Sequence, residues 1–85
     1  MRIVYLLFHK DGKRPSVVSF TANGMKRHIT KMIRTDSMEY CDGSKATQIR
    51  CLRDDFMNAD PITAVNKRLR NKWSIEAYVE GSVRR

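Results

Sequence analysis

The strongest restriction on the fold comes from six consecutive apolar residues near the start of the chain, Ile3 to Phe8. Most of them are β-branched or aromatic, which is typical of a strand. A strand with apolar side chains on both faces needs cover on both. We therefore expect this strand to lie at the centre of a sheet, or to be covered on one side by helices and on the other by another element or a partner.

An N-terminal hairpin is the next expectation. A second β-branched and aromatic run, residues 16–20, follows the first after a short polar stretch that contains Asp11 and Gly12. This dipeptide is typical of a type I′ turn, because both residues tolerate positive φ. With the dipeptide at the tip, His9 would face Arg14 across the hairpin.

The firmest helix prediction begins at Asn23 or Gly24 and ends near Arg34. Its apolar residues recur at helical spacing, which predicts one buried face: Met25, Ile29, Met32 and Ile33. The opposite face is basic: Arg27, Lys31 and Arg34, with Lys26 at its edge. From Lys13 to Thr35 there are six Lys or Arg residues and no acid, whereas a solvated helix face usually mixes both signs.

The middle of the chain supports two interpretations. Residues 36–39 fit a capping box, whereas Asp42 and Gly43 signal a second type I′ hairpin between residues 38–41 and 47–52. Helical spacing of Ile49, Leu52 and Phe56, with Ser44 as an N-cap, instead predicts a helix over residues 45–57. Of these two interpretations we slightly favour the hairpin, in which residues 47–52 form a strand.

A second helix should begin at Asp60 and Pro61, a strong N-terminal signal, and run to about Lys72. Its C-terminal half is crowded with cations: Lys67, Arg68, Arg70 and Lys72. Residues 74–80 then alternate between apolar and polar, which predicts a strand with one wet face. Residues 82–85 are expected to be a frayed basic tail.

These elements predict one basic α+β domain spanning residues 1–85. The simplest arrangement is a single-layer antiparallel or mixed sheet of three to five strands, including the N-terminal hairpin, with two amphipathic helices packed on one face.

The charge favours an anionic partner. The chain has 17 Lys and Arg against nine Asp and Glu, a formal net charge of +8, and cations placed against phosphates gain affinity by releasing counterions. We therefore expect a nucleic-acid-binding protein, acting on DNA or RNA. The predicted contact residues are the two basic helix faces: Lys26, Arg27, Lys31, Arg34, Lys67, Arg68, Arg70 and Lys72.

No catalytic, metal or cofactor site is expected. The chain has no Gly-rich phosphate loop and no hydrolase or metalloprotease motif. Asp54, Asp55 and Asp60 could bind a divalent metal, but adjacent Asp side chains point apart on a strand or a helix. Cys41 and Cys51 are nine residues apart, which fits no zinc motif and predicts reduced thiols.

The alternative is a protein partner. A short, basic chain that begins at its own Met resembles in style the small accessory proteins of bacteriophages and mobile elements, many of which bind host enzymes or nucleic acid. The resemblance implies an inhibitor or adaptor that docks on an acidic host protein. Self-association through an exposed part of the first strand is a further expectation. No apolar run is long enough for a membrane span, and we expect a cytoplasmic protein.

Overall fold

Three strands and three helices make up the fold. The structure is a computed structural model and describes residues 2–69 and 72–79. The elements in chain order are β1 (Ile3–His9), β2 (Val17–Ser19), α1 (Ala22–Arg34), α2 (Lys45–Phe56), α3 (Pro61–Leu69) and β3 (Trp73–Val79). The α+β class with a small antiparallel sheet is confirmed.

The sheet has the order β2-β1-β3, and both pairs of neighbours are antiparallel. The predicted central position of β1 is therefore confirmed. Leu7 is fully buried and lies opposite Val17 on one side and Ile75 on the other. Helices cover this face of the sheet.

The predicted type I′ turn is wrong. Positive φ occurs at Asp36 and Gly43 among the described residues, so neither Asp11 nor Gly12 adopts the conformation that this turn requires. The Gly12 N–H donates to the His9 carbonyl over 2.9 Å, and residues 10–16 form a longer connection. Pro15 has no N–H for the ladder, so pairing resumes only beyond it. The observed partners are Leu7 and Val17, a register shifted by one residue from the predicted one.

Helix α1 follows the prediction. The Thr21 hydroxyl accepts a hydrogen bond from the Gly24 N–H over 2.9 Å and caps its start. The helix ends where Asp36 turns to a φ of 62° and Ser37 donates back to the Met32 carbonyl over 2.8 Å. This Schellman ending takes the place of the capping box that residues 36–39 suggested.

Helix α2 replaces the favoured second hairpin, which is wrong. The Ser44 hydroxyl caps it by accepting from the Thr47 N–H over 3.2 Å. The buried Gln48 amide accepts from the Tyr40 N–H over 2.9 Å and donates to the Gly43 carbonyl over 3.1 Å. This side chain satisfies two backbone groups of the segment that precedes α2. The structure thus adds a third helix to the two predicted.

Helix α3 begins as predicted, with the Asp60 carboxylate accepting from the Thr63 hydroxyl over 2.7 Å. Its described part runs to Leu69, and Lys72, the predicted end, lies in the turn before β3. Glu80 and the expected frayed tail, residues 82–85, lie outside the described residues.

One buried cluster joins the helices to the sheet. It contains ten residues: Leu7, Met25, Ile29, Ile33, Met38, Tyr40, Leu52, Val65, Leu69 and Ile75. Helix α1 packs against β2, α3 packs against β3, and α2 contacts both α1 and α3. The exposed sides of α1 and α3 therefore belong to different ends of the helical layer, each next to α2.

Candidate nucleic-acid interface

The exposed side of α1 brings together three of the predicted cations. Arg27, Lys31 and Arg34 are exposed and line one shallow groove of about 330 Å³ together with Thr30. We call this the α1 groove. Lys26, predicted at the edge of the same face, is half-buried, and its backbone carbonyl accepts a hydrogen bond from the Thr30 hydroxyl over 2.8 Å.

In the described part of the chain, no carboxylate forms an ion pair with a cation of the α1 groove. The ion pairs found within residues 2–69 and 72–79 join His9 to Asp11, Lys45 to Asp36 and Arg68 to Asp55. None of them uses a cation of the α1 groove, and the first turn of α1 contains no acid. No ion pair among the described residues therefore offsets the positive charge of the groove, which suits a phosphate-binding surface.

The cations of the second predicted cluster lie in a different place. Lys67, Arg68 and Lys72 line a cleft of about 950 Å³ between α2, α3 and the segment around Tyr40. We call this the polar cleft. Arg70, the fourth member of the cluster, lies outside the described residues. The two predicted basic faces therefore contribute to two separate concave surfaces, which have no lining residue in common.

A hydrogen-bonded network crosses the polar cleft. The buried Tyr40 hydroxyl donates to Asp55 Oδ2 over 2.6 Å. Arg68 donates to the same carboxylate, from Nε to Oδ2 over 3.1 Å and from Nη2 to Oδ1 over 3.4 Å. Burial first, and then the hydrogen bond to Asp55, raise the pKa of Tyr40 well above its ordinary value. The hydrogen bond to Asp55 likewise raises the pKa of Arg68. Arg68 therefore links α3 to the Asp55 carboxylate of α2.

Two thiols also line the polar cleft. Cys41 and Cys51 are both half-buried and free. Burial, followed by a hydrogen bond with the Cys51 thiol, raises the pKa of Cys41 to about 11. A thiol with so high a pKa is a poor nucleophile and a poor metal ligand at neutral pH. Within the described ranges, no group of three or more His, Cys, Asp and Glu side chains could hold a metal ion.

Opposite charges cancel along the polar cleft. Its lining contains three cations and three carboxylates: Lys67, Arg68, Lys72, Glu39, Asp42 and Asp55. In contrast, the charged residues of the α1 groove are all cations. The α1 groove is therefore the stronger candidate for contact with phosphates.

Two further cations lie on α2. The favoured strand interpretation of this segment did not identify them as candidate contacts. Arg50 and Arg53 are exposed on the helix that contacts both α1 and α3. Their spacing of three residues places them near each other on a helix. The helical spacing of Ile49, Leu52 and Phe56 was the signal that could have identified them.

Comparison with known proteins gives no relative: no family model, no curated protein and no solved structure matches the chain. In the described part of the structure, no helix is both long and apolar enough to cross a membrane.

Proposed function

We propose that the protein binds nucleic acid without catalysing a reaction, and that the α1 groove makes the central contacts with phosphates. The observation that supports this is the convergence of Arg27, Lys31 and Arg34 on one groove with no carboxylate among its lining residues. Proteins rarely concentrate unpaired charge of one sign unless it serves binding.

The spacing of these cations suits a polyanion. Arg27 and Arg34 are seven residues apart on one helix, a rise of about 10 Å. Phosphates of one duplex strand recur about every 3.4 Å of axial rise while they turn around the axis. We therefore expect about one phosphate contact for each of the three cations.

The remaining predicted cations have lesser roles in this proposal. Lys26 would extend the positive field beside the α1 groove. Lys67 and Lys72 line the polar cleft and would add attraction at longer range. Arg70, outside the described residues, stays a predicted contact. Arg68 contributes less, because its guanidinium is held by the Asp55 carboxylate. An ion pair at this partly exposed position neutralises charge that a phosphate would otherwise meet.

The test is a triple charge reversal with a matched control. Arg27→Glu/Lys31→Glu/Arg34→Glu removes the cations of the α1 groove, and the control carries Lys10→Glu, Lys13→Glu and Arg14→Glu in the exposed β1–β2 connection. Both variants change the net charge by the same amount. Fluorescence anisotropy with a labelled duplex and a labelled single strand, at several salt concentrations, measures affinity, and circular dichroism checks folding.

We expect the α1 variant to lose binding to every sequence and the control to retain most of it. The slope of log K against log salt should also become shallower by about 2.7 for a duplex, since each phosphate contact contributes about 0.9. Equal losses of affinity in both variants would mean that net charge, and not the α1 groove, accounts for binding. A flat salt dependence in the unmodified protein would contradict the proposal outright.

An acidic host protein is the alternative partner, as for a phage-type accessory protein that inhibits or redirects its target. The same three cations would steer association with a carboxylate-rich surface. In that case the triple reversal would mainly slow association, and a slowly formed complex would persist at low salt. Either partner implies action in the cytoplasm, where thiols such as Cys41 and Cys51 stay reduced.

A further inference from the structure

The face of the sheet opposite the helices is apolar. Leu7, Val17 and Ile75 point into the core, and alternation along each strand sends their neighbours to the other side. These neighbours form what we call the open sheet face, on which five of the seven residues are apolar: Val4, Leu6, Phe8, Val18, Ser74, Glu76 and Tyr78. None of the seven belongs to the buried core cluster or packs against it.

The edges of the open sheet face are solvent-exposed. Val18 is 49% exposed and Tyr78 is 36% exposed. Phe20, which follows β2 on the same side, is 54% exposed, and the Arg2 guanidinium lies 4.9 Å from its ring centroid. Exposed apolar side chains that are contiguous in this way usually mark an interaction surface.

The charge of this face separates it from the α1 groove. Glu76 is the one charged residue that the described strands place on it, and Arg2 at its margin carries the opposite sign. A face that is apolar and close to neutral attracts neither a polyanion nor an acidic protein. An identical face is complementary to it, because two sheets can pack with their apolar side chains interdigitated.

We infer that the protein self-associates, with the open sheet faces of two copies packed against each other. This arrangement also accommodates the net charge of +8 on each copy. Packed sheets lie about 10 Å apart, and each helical layer adds about 10 Å more. The α1 helices of the two copies would therefore be separated by about 30 Å, some three Debye lengths at 0.1 M salt, and their repulsion would be screened.

The size of the face predicts a weak dimer. Two strands of seven residues and one of three, at about 4.8 Å between strands and about 3.4 Å per residue, give a patch of roughly 280 Å². Side-chain relief increases the accessible area, but the patch stays below the ~800 Å² per partner of a standard interface. We expect dissociation in the micromolar range or above, so the oligomeric state should change with concentration.

Sedimentation velocity on the full chain, from about 5 to 500 µM, tests the inference. Val18→Glu and Val18→Lys each place a charge in the open sheet face, and Phe20→Ser is a milder third variant outside β2. Met57→Glu is the matched control, because Met57 is 84% exposed but follows α2, away from the sheet. Melting curves check that every variant folds.

We expect the unmodified protein and Met57→Glu to show a mass that rises with concentration, and both Val18 variants to weaken association at least tenfold. A monomer throughout the range would overturn the inference, as would a Val18 substitution of either sign that leaves association unchanged. A monomeric protein whose Val18 variants lose binding to another protein would assign the face to that partner instead.

Self-association and nucleic-acid binding can be tested independently of each other. At concentrations that keep the protein monomeric, Val18→Glu should lose little affinity for nucleic acid beyond the effect of one charge, and Met57→Glu measures that effect. The triple reversal of the α1 groove should still associate.

Discussion

Removing the Tyr40 hydroxyl should destabilise the fold measurably, although no apolar packing is lost. In Tyr40→Phe the aromatic ring, which is 1% exposed, keeps its place in the core. The hydrogen bond to Asp55, 2.6 Å long, disappears. Hydrogen bonds to charged groups contribute about 1.5–3 kcal/mol. We expect about 1.5 kcal/mol, because Arg68 still pairs with the carboxylate and the Asp55 side chain is 14% exposed to water.

Urea unfolding, followed by the fluorescence of the single tryptophan, Trp73, measures this loss. With a slope near 1 kcal/mol per molar urea, the midpoint should fall by about 1.5 M. Tyr78→Phe is the matched control, because its hydroxyl donates to Glu76 on the exposed sheet face and its loss should leave the midpoint unchanged. A Tyr40→Phe midpoint equal to that of the unmodified protein would refute the argument that this network holds α2 and α3 together.

The same network predicts a pH dependence. The pKa of Tyr40 is raised in the folded protein, whereas in the unfolded chain it returns to about 10. Above pH 10 the unfolded chain releases this proton and the folded protein keeps it, so stability falls as the pH rises. The contribution of Tyr40 to this fall in the free energy of unfolding approaches about 1.4 kcal/mol for each pH unit. Tyr40→Phe should lose stability less steeply over this range.

Two further outcomes follow from single side chains. Asn66→Ala should lower the free energy of unfolding, measured in urea, by about 2 kcal/mol. The Asn66 amide accepts a hydrogen bond from the Ile75 N–H over 2.7 Å and donates one to the Ile75 carbonyl over 2.9 Å. Asn23→Ala, on the exposed side of α1, should leave the free energy of unfolding unchanged. Cys41, with its pKa raised to about 11, should react with iodoacetamide at pH 8 about 100-fold more slowly in the folded protein than in urea, as peptide mapping can measure; equal rates would contradict the raised pKa.

Local signals predicted much of the fold. The apolar run of β1 indicated a central strand, helical spacing of apolar residues located α1, and Asp60 with Pro61 marked the start of α3. Helix α2 was missed because its apolar residues are too few to separate a strand from a helix. The buried Gln48 side chain distinguishes the helix from the strand, because its amide oxygen accepts a hydrogen bond from the Tyr40 N–H, eight residues away. No local pattern contains that contact.

The two candidate surfaces were predicted unequally for the same reason. Helical periodicity alone grouped Arg27, Lys31 and Arg34, because residues of one helix face need no tertiary information. The polar cleft depends on Asp55 reaching Tyr40 and Arg68, which are 15 and 13 residues away in the chain. Arg68 was therefore predicted as a phosphate contact, and its ion pair could not be foreseen.

The two proposals together restrict how the protein could engage nucleic acid. If two copies pack through the open sheet face, the helical layers lie on opposite outer sides and the two α1 grooves face away from each other. Symmetric dimers that grip one duplex place their contact elements on the same side, about 34 Å apart. In this dimer the two grooves lie on opposite helical layers, which disfavours simultaneous contact with one straight duplex. Each groove would instead contact a separate segment, so that dimerisation would bridge two nucleic-acid segments and would not increase affinity for one short site.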